Sequence, residues 1–238
     1  MEQRKVLVIG ATGDVGRGIV GAVLAKGWVA VAAGRSRGRL AEAFPPRDGL
    51  ILVEGSLDSE ASTAALWDAA SAAAGPIYAV VVSVNAPTRL APLEAWSDRD
   101  FADLLSANIV THFNAVKVLR RLLPDHGLLV GIGGGTADFI IPTNAAVSVA
   151  QAGLRMMYRG FARERQCGAG LRELMIISMV NGVSKREQAR PEWVTDEDVG
   201  RHVCAVIATP DQFPGPILQL RSREQVGQPD SPEGSTKS

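Results

Sequence analysis

The chain has 238 residues, 46% of them hydrophobic and 21% charged, and its 25 Lys and Arg side chains balance 25 Asp and Glu. That length suits one α/β domain without subdivision. A formal charge of zero excludes a global field that would gather nucleic acid or an anionic membrane, and no apolar run reaches the ~18 to 20 residues needed to cross a bilayer.

Met1 to Lys5 lead directly into the apolar run Val6-Leu7-Val8-Ile9. Followed at once by glycines, it is too short for a signal peptide, so a cytoplasmic location is expected. Seven short runs rich in Val, Ile and Leu read as strands at about 5–9, 28–33, 50–54, 77–83, 127–132, 172–178 and 215–220. Between them, helical spacing of apolar residues predicts helices at about 15–26, 38–44, 60–74, 98–121, 144–165 and 196–208. This alternation implies repeated βαβ units and hence a three-layer doubly wound (Rossmann) α/β fold with a seven-stranded, mainly parallel sheet. Ala79-Val80-Val81-Val82, apolar throughout, fits a strand buried on both faces. Ser184 to Trp193, charged and carrying Pro191, reads as a loop or short lid. The domain is expected to span 1–220, with a disordered tail over 221–238, where little apolar surface is available to bury. Cys167 and Cys204 lack the spacing of a metal or redox motif and are expected to be reduced thiols, and no metal site is expected.

After the first strand stands Gly10-Ala11-Thr12-Gly13-Asp14-Val15-Gly16, opening into a helical run. Glycines permit the tight turn and let backbone approach a pyrophosphate, whose charge is met by the free N–H groups and positive end of the helix. In that strand-turn-helix context the motif points to a dinucleotide. The second strand ends Gly34-Arg35-Ser36-Arg37, with no acid to hold ribose hydroxyls. Arg35 and Ser36 suit the 2′-phosphate of NADP, so NADP(H) is the expected cofactor, with NAD(H) the alternative. Arg37 serves equally well to solvate a helix start.

With these residues placed, the chain resembles the short-chain dehydrogenase/reductase superfamily from about residue 4 to 220. Ser83-Val84-Asn85-Ala86 is similar to the family's Asn-Asn-Ala-Gly element, and Ser106-Ala107-Asn108-Ile109-Val110 to the segment bearing its catalytic asparagine. Val180-Asn181-Gly182-Val183 stands where the family carries Pro-Gly followed by a nicotinamide contact. The resemblance implies cofactor contacts from Asn85, Ala86, Asn181, Gly182 and Val183. It also implies self-association as a homodimer or homotetramer through the helices at about 98–121 and 144–165.

Carbonyl reduction in that family uses a Tyr, a Lys four residues later and a Ser after the fifth strand. Aligned on Ala152-Gly153, this sequence offers Val147, Gln151 and Gly134 at those places. Valine has no proton to give, and neutral glutamine cannot depress a neighbour's pKa by charge. Proton transfer by a positioned acid is worth roughly 10²- to 10⁴-fold, so an ordinary ketone reductase is not expected. Tyr158 lies roughly 16 Å further along the helix axis. Asn108, Gln151 and Ser148 remain as catalytic candidates, Gln151 also as a cofactor contact, with Thr136, Asp138, His112 and Asn144 as stand-in groups near the strand ends. A pocket of Gly134, Val147, Ile140, Ile141 and Met179 suits a planar, apolar small molecule. Three readings follow: an NADP(H)-dependent reductase of a quinone, enone or imine; a non-redox cyclase, isomerase or lyase that keeps the nucleotide as a structural part; and a catalytically silent nucleotide-binding partner subunit.

Overall fold

The computed structural model describes residues 3–85, 89–164 and 167–229. Seven parallel strands form one sheet in the order β3-β2-β1-β4-β5-β6-β9. They are β1 Lys5–Ile9, β2 Val29–Gly34, β3 Leu50–Glu54, β4 Ala79–Val82, β5 Leu128–Gly134, β6 Gly170–Ile176 and β9 Ile217–Leu220. Each falls on a run expected from sequence, although the sixth begins two residues earlier, since Gly170 already pairs with Leu128. The order reverses between β1 and β4, which opens a crevice at the carboxyl ends of these strands.

Helices cover both faces. Leu40 of α2 Arg37–Ala43 and the buried faces of α1 Asp14–Ala25 and α7 Asp196–Ala208 share a core with Val6, Val8, Val130 and Leu174. Leu66 of α3 Glu60–Ala74, Leu119 of α5 Thr111–Leu122 and Leu154 of α6 Ala145–Glu164 close over Leu7, Ile9, Leu129 and Leu171. Helices α1 and α7 meet backbone to backbone: a Cβ on Gly18 would stand 2.0 Å from Asp196 O, and one on Gly200 2.2 Å from Gly18 O. Only glycine permits that approach.

The single helix expected at 98–121 is interrupted. It runs as α4 Asp98–Leu105, a π turn at Ser106–Val110, and then α5. Asn108 Nδ2 donates to Leu104 O at 2.8 Å and Thr111 Oγ1 to Ala107 O at 2.8 Å, so side chains satisfy carbonyls around the widened turn. Such bulges concentrate at functional sites.

The segment expected as a loop or lid is partly ordered. A small parallel ribbon, β7 Val180–Asn181 with β8 Val194–Thr195, brackets a 3₁₀ turn at Val183–Gln188. Beyond residue 220 the chain does not detach at once. Arg223 Nε donates to the buried Asp198 carboxylate at 2.9 Å, Gly227 N to His202 Nδ1 at 3.2 Å, and Val226 packs on the core. Contacts with α7 thus carry the ordered chain past the expected boundary, and residues 230–238 of the expected tail lie outside the described residues. Both cysteines are free thiols, and burial pushes Cys204 up to about 12. Among the described residues no helix is long and apolar enough to cross a membrane. No cluster of three or more His, Cys, Asp or Glu side chains among them is arranged to hold a metal ion.

Candidate active site

Two adjoining cavities of about 420 and 400 Å³ lie along the crevice and share Gly13, Ser83 and Asn85. Each is within the usual size range of small-molecule sites, ~300 to 1,000 Å³.

The loop between β1 and α1 forms the floor of the first. Gly10 has φ +81°, and a Cβ there would stand 2.2 Å from Ser83 O; one on Gly16 would stand 2.2 Å from Gly10 O. The turn is closed by Gly13 N donating to Gly10 O at 3.1 Å. Ser36, Ser59, Ser97 and Thr195 cap α2, α3, α4 and α7 with their side chains, whereas Gly13 at the head of α1 supplies none. The first N–H groups of α1 have no intrahelical acceptor, and they face this crevice. An anion finds both donors and a favourable dipole there.

Arg35, Ser36 and Arg39 line the far end of the first cavity, with Asp58 and Asp103 on its rim. Arg37 turns away: its N–H donates to Glu54 Oε2 at 2.8 Å, and its guanidinium reaches Leu52 O at 3.5 Å. Ser36 Oγ accepts from Arg39 N at 3.3 Å, which draws the first turn of α2 and its arginine toward the cavity. Nothing in the sequence separates Arg39 from an ordinary solvated helix residue.

Asp14, Asn108, Gly134, Thr136, Val147 and Gln151 line the second cavity, together with Ile132, Met179 and Lys185. Gln151 is buried and held at both ends of its amide. Oε1 accepts from Gly134 N at 2.7 Å, and Nε2 donates to Asn85 Oδ1 at 3.3 Å. Asp14 Oδ1 accepts from Ser184 N at 3.0 Å, and its other oxygen accepts from the Ser184 hydroxyl, which latches the 3₁₀ turn to the head of α1. Lys185, the next residue, reaches the same cavity; its place in a run of surface charges gives no sign of this in the sequence.

Other expected site residues lie elsewhere. Ser148 Oγ donates to Phe139 O at 3.1 Å, turned from the cavity, because a helix places adjacent side chains ~100° apart. Ile141 is 43% exposed and Ile140 71%, so neither joins the pocket wall with Val147 and Met179. Gly182 packs against Asp14, Val183 is exposed, and Val180 takes the cavity position instead of Asn181. Ala86 lies outside the described residues. Asp138 pairs with Arg155, and Asn144 stands just before α6.

His112 is wholly buried beneath the strand ends, with Nε2 3.0 Å from Val84 O and Nδ1 3.0 Å from the Tyr158 hydroxyl. Burial pushes its pKa down to about 4, outweighing the Val84 carbonyl, so it is neutral at pH 7. Glu173, on β6, presses a carboxyl oxygen against Gly133 and is pushed up to about 8 by burial, opposed by Arg155 and Arg159 and reinforced by Asp138.

A parallel sheet with this strand order, a glycine cradle at a helix head and a second cavity beyond it define a doubly wound α/β protein, a class whose members bind ligands in the crevice at the strand ends. The sequence matches the model of the short chain dehydrogenase family over residues 4–168, most of the chain, and the chain belongs to that family. The family's members are oxidoreductases that use a nicotinamide cofactor, NAD or NADP. Similar solved structures include a short-chain type dehydrogenase/reductase from Mycobacterium ulcerans, 17% identical with a TM-score of 0.81 over 96% of this chain and 92% of that one. An oxidoreductase of the short chain dehydrogenase/reductase family from Burkholderia thailandensis is 20% identical, with a TM-score of 0.77 over 93% and 91% of the two chains. Serine dehydrogenase from Escherichia coli is 20% identical, with a TM-score of 0.73 over 91% and 96%. At these identities the likeness is one of fold. No curated protein matches the chain in sequence.

Proposed function

We infer that the chain is an NADP(H)-dependent reductase whose substrate accepts hydride without a protein acid: a quinone, an activated enone or an imine. The observation that carries this reading is the state of Gln151. It occupies the place at which the family resemblance expects a lysine, and its amide is spent on Gly134 N and Asn85. Val147, one turn earlier, stands where the tyrosine is expected and offers the cavity only methyl groups. Asp14 and Lys185, both at the α1 end, are the ionisable groups among the described residues lining this cavity.

The residues fit the cofactor. The glycine floor at Gly10 and Gly16 and the uncapped amides of α1 suit a diphosphate, while Arg35, Arg39 and the Ser36 hydroxyl suit a phosphate on the adenosine ribose. When bound, NADPH supplies the hydride. The chain orients the acceptor between Val147, Ile132 and Met179 and keeps the reacting atoms together, a contribution that positioning alone can make large. An apolar wall of this kind serves equally to fold an apolar substrate into a reactive shape, so a non-redox isomerase or cyclase is the competing reading.

The test is NADPH oxidation at 340 nm against a panel of quinones, enones and imines, with calorimetric titration of NADPH and NADH. Turnover of at least one acceptor is expected, together with tighter binding of NADPH. Arg35→Ala and Arg39→Ala should each weaken NADPH by about tenfold and leave NADH unchanged, since a charge-assisted hydrogen bond is worth about 1.5 kcal/mol. Binding without any turnover across the panel overturns the reductase, and product formed equally with oxidised cofactor selects the non-redox reading.

A further inference from the structure

The orientations of two amides in the crevice are forced by one backbone group. Gly134 N–H can only donate, so the Gln151 atom 2.7 Å from it is the oxygen. Its NH₂ end therefore faces Asn85 at 3.3 Å, and because an NH₂ group donates, the Asn85 atom it meets is Oδ1. Nδ2 is then the end of the Asn85 amide left for a ligand. Asn85 lines both cavities at their junction and so borders the second one, in which Val147, Ile132 and Met179 would hold the acceptor. Neither amide ionises, so this polarity is independent of pH across the working range.

The geometry points to Asn85 Nδ2 as the hydrogen-bond donor to the oxygen of the hydride acceptor, with Gln151 as the positioning residue that turns it there. This rests on the reductase reading and narrows its substrate to quinones and conjugated enones. With NADPH bound, its C–H bond would break and give the hydride with both electrons to the acceptor's conjugated carbon, the cofactor leaving as NADP⁺, while the displaced π pair moves through the conjugated system onto oxygen. The amide stabilises that oxyanion by hydrogen bonding and transfers no proton. The proton comes afterwards from water. A delocalised enolate, which in the quinone case then tautomerises to the quinol, survives until then, whereas an isolated ketone would have to become a localised alkoxide beside Val147 and Gln151, neither of which is an acid. Imines fall outside this class, since hydride addition leaves a localised, strongly basic charge on nitrogen that needs a proton and not only a hydrogen bond.

The experiment uses the full-length protein, the variants Asn85→Ala, Asn85→Asp and Gln151→Glu and the double variant Asn85→Ala/Gln151→Glu, with melting curves to confirm folding. Removing one such donor lowers kcat by roughly 10²-fold with little change in KM. Gln151→Glu keeps an acceptor for Gly134 N but presents a second oxygen to Asn85. The Asn85 amide then reverses and shows the cavity its oxygen. Gln151→Glu should therefore lose about as much kcat as Asn85→Ala, and the double variant should lose no more than either, a non-additivity that two separate packing roles would not give. Asn85→Asp should regain activity as the pH falls and its carboxyl acquires a proton to donate.

An independent readout needs neither cofactor nor turnover. Titration of the unloaded ¹⁵N-labelled protein with 4-nitrophenolate should shift the Asn85 side-chain amide resonance downfield in the wild type. No such shift should occur in Gln151→Glu. If the wild type turns over no acceptor but this shift is present, the reductase reading fails and the donor assignment stands. If Asn85→Ala keeps its kcat for quinones, or the phenolate leaves the Asn85 resonance where it was, the proposal is overturned.

Discussion

The imidazole of His112 and the hydroxyl of Tyr158 stand 3.0 Å apart in full burial, and their roles are fixed by a third group. Val84 O, 3.0 Å from Nε2, can only accept, so Nε2 carries the hydrogen, Nδ1 accepts, and Tyr158 donates. Both groups are neutral, since burial lowers the histidine and raises the tyrosine well above its usual value. Tyr158 is thus a structural phenol tucked beneath Gly131, where a Cβ would stand 2.0 Å from its hydroxyl oxygen.

Tyr158→Phe should leave His112 Nδ1 buried without a donor and cost about 1 to 3 kcal/mol in urea unfolding. NADPH affinity should be unchanged, because Tyr158 lines neither cavity. A variant that loses affinity while keeping its stability would contradict this placement.

Glu173 and His112 give stability opposite slopes with pH. With Glu173 pushed up to about 8 from an ordinary 4.5, the folded chain keeps a proton that the unfolded chain releases, so stability falls as pH rises from about 4.5 to about 8. His112, held near 4 against an ordinary 6.5, makes the unfolded chain bind the extra proton, so stability falls as pH drops from about 6.5 to about 4. A plateau between about 4.5 and 6.5 is expected from denaturant midpoints. Glu173→Gln should remove the decline on its alkaline side, a difference of up to a few kcal/mol by pH 8.

Two glycines separate turn geometry from helix propensity. Gly10→Ala combines φ +81° with a clash against Ser83 O and should abolish nucleotide binding and lower the melting temperature sharply. Gly21→Ala, inside α1 with nothing within 4 Å of the new methyl, should raise stability by about 1 kcal/mol. Melting curves of the two variants should move in opposite directions.

Asp14→Ala should release the Ser184 latch and speed hydrogen exchange over 183–188. It should also tighten NADPH by about two- to fivefold, since a carboxylate at a helix head competes with a phosphate for the same positive end. Unaltered exchange in that segment would show that the ribbon of β7 and β8 alone holds it.

Most of the fold was legible because buried parallel strands leave unbroken runs such as Ala79-Val80-Val81-Val82, and because glycines sit where strand passes into helix. The π turn left no trace, since Ser106 to Val110 keeps a spacing compatible with an ordinary helix and the widening is settled by hydrogen bonds of Asn108 and Thr111. Arg35 and Ser36 were singled out from their place at the end of the second strand, Val147 and Gln151 from the resemblance aligned on Ala152-Gly153, and Met179 as an apolar residue after the sixth strand; all five line the two cavities. Arg39, Asp58 and Lys185 were not, because an exposed charge in a loop or first helical turn looks the same whether it faces water or a cavity. Ile141 misled for the complementary reason: apolar character does not say which way a loop residue points.

The crossing of α1 and α7 at Gly18 and Gly200 has a mechanical consequence. Helices in direct main-chain contact cannot slide, so the glycine floor of the first cavity and the strut that receives the chain after residue 195 move as one block. On that side of the crevice, movement is left to residues 182–193, which belong to neither helix. Stiffening that stretch would slow exchange of nucleotide while leaving the rest of the molecule undisturbed.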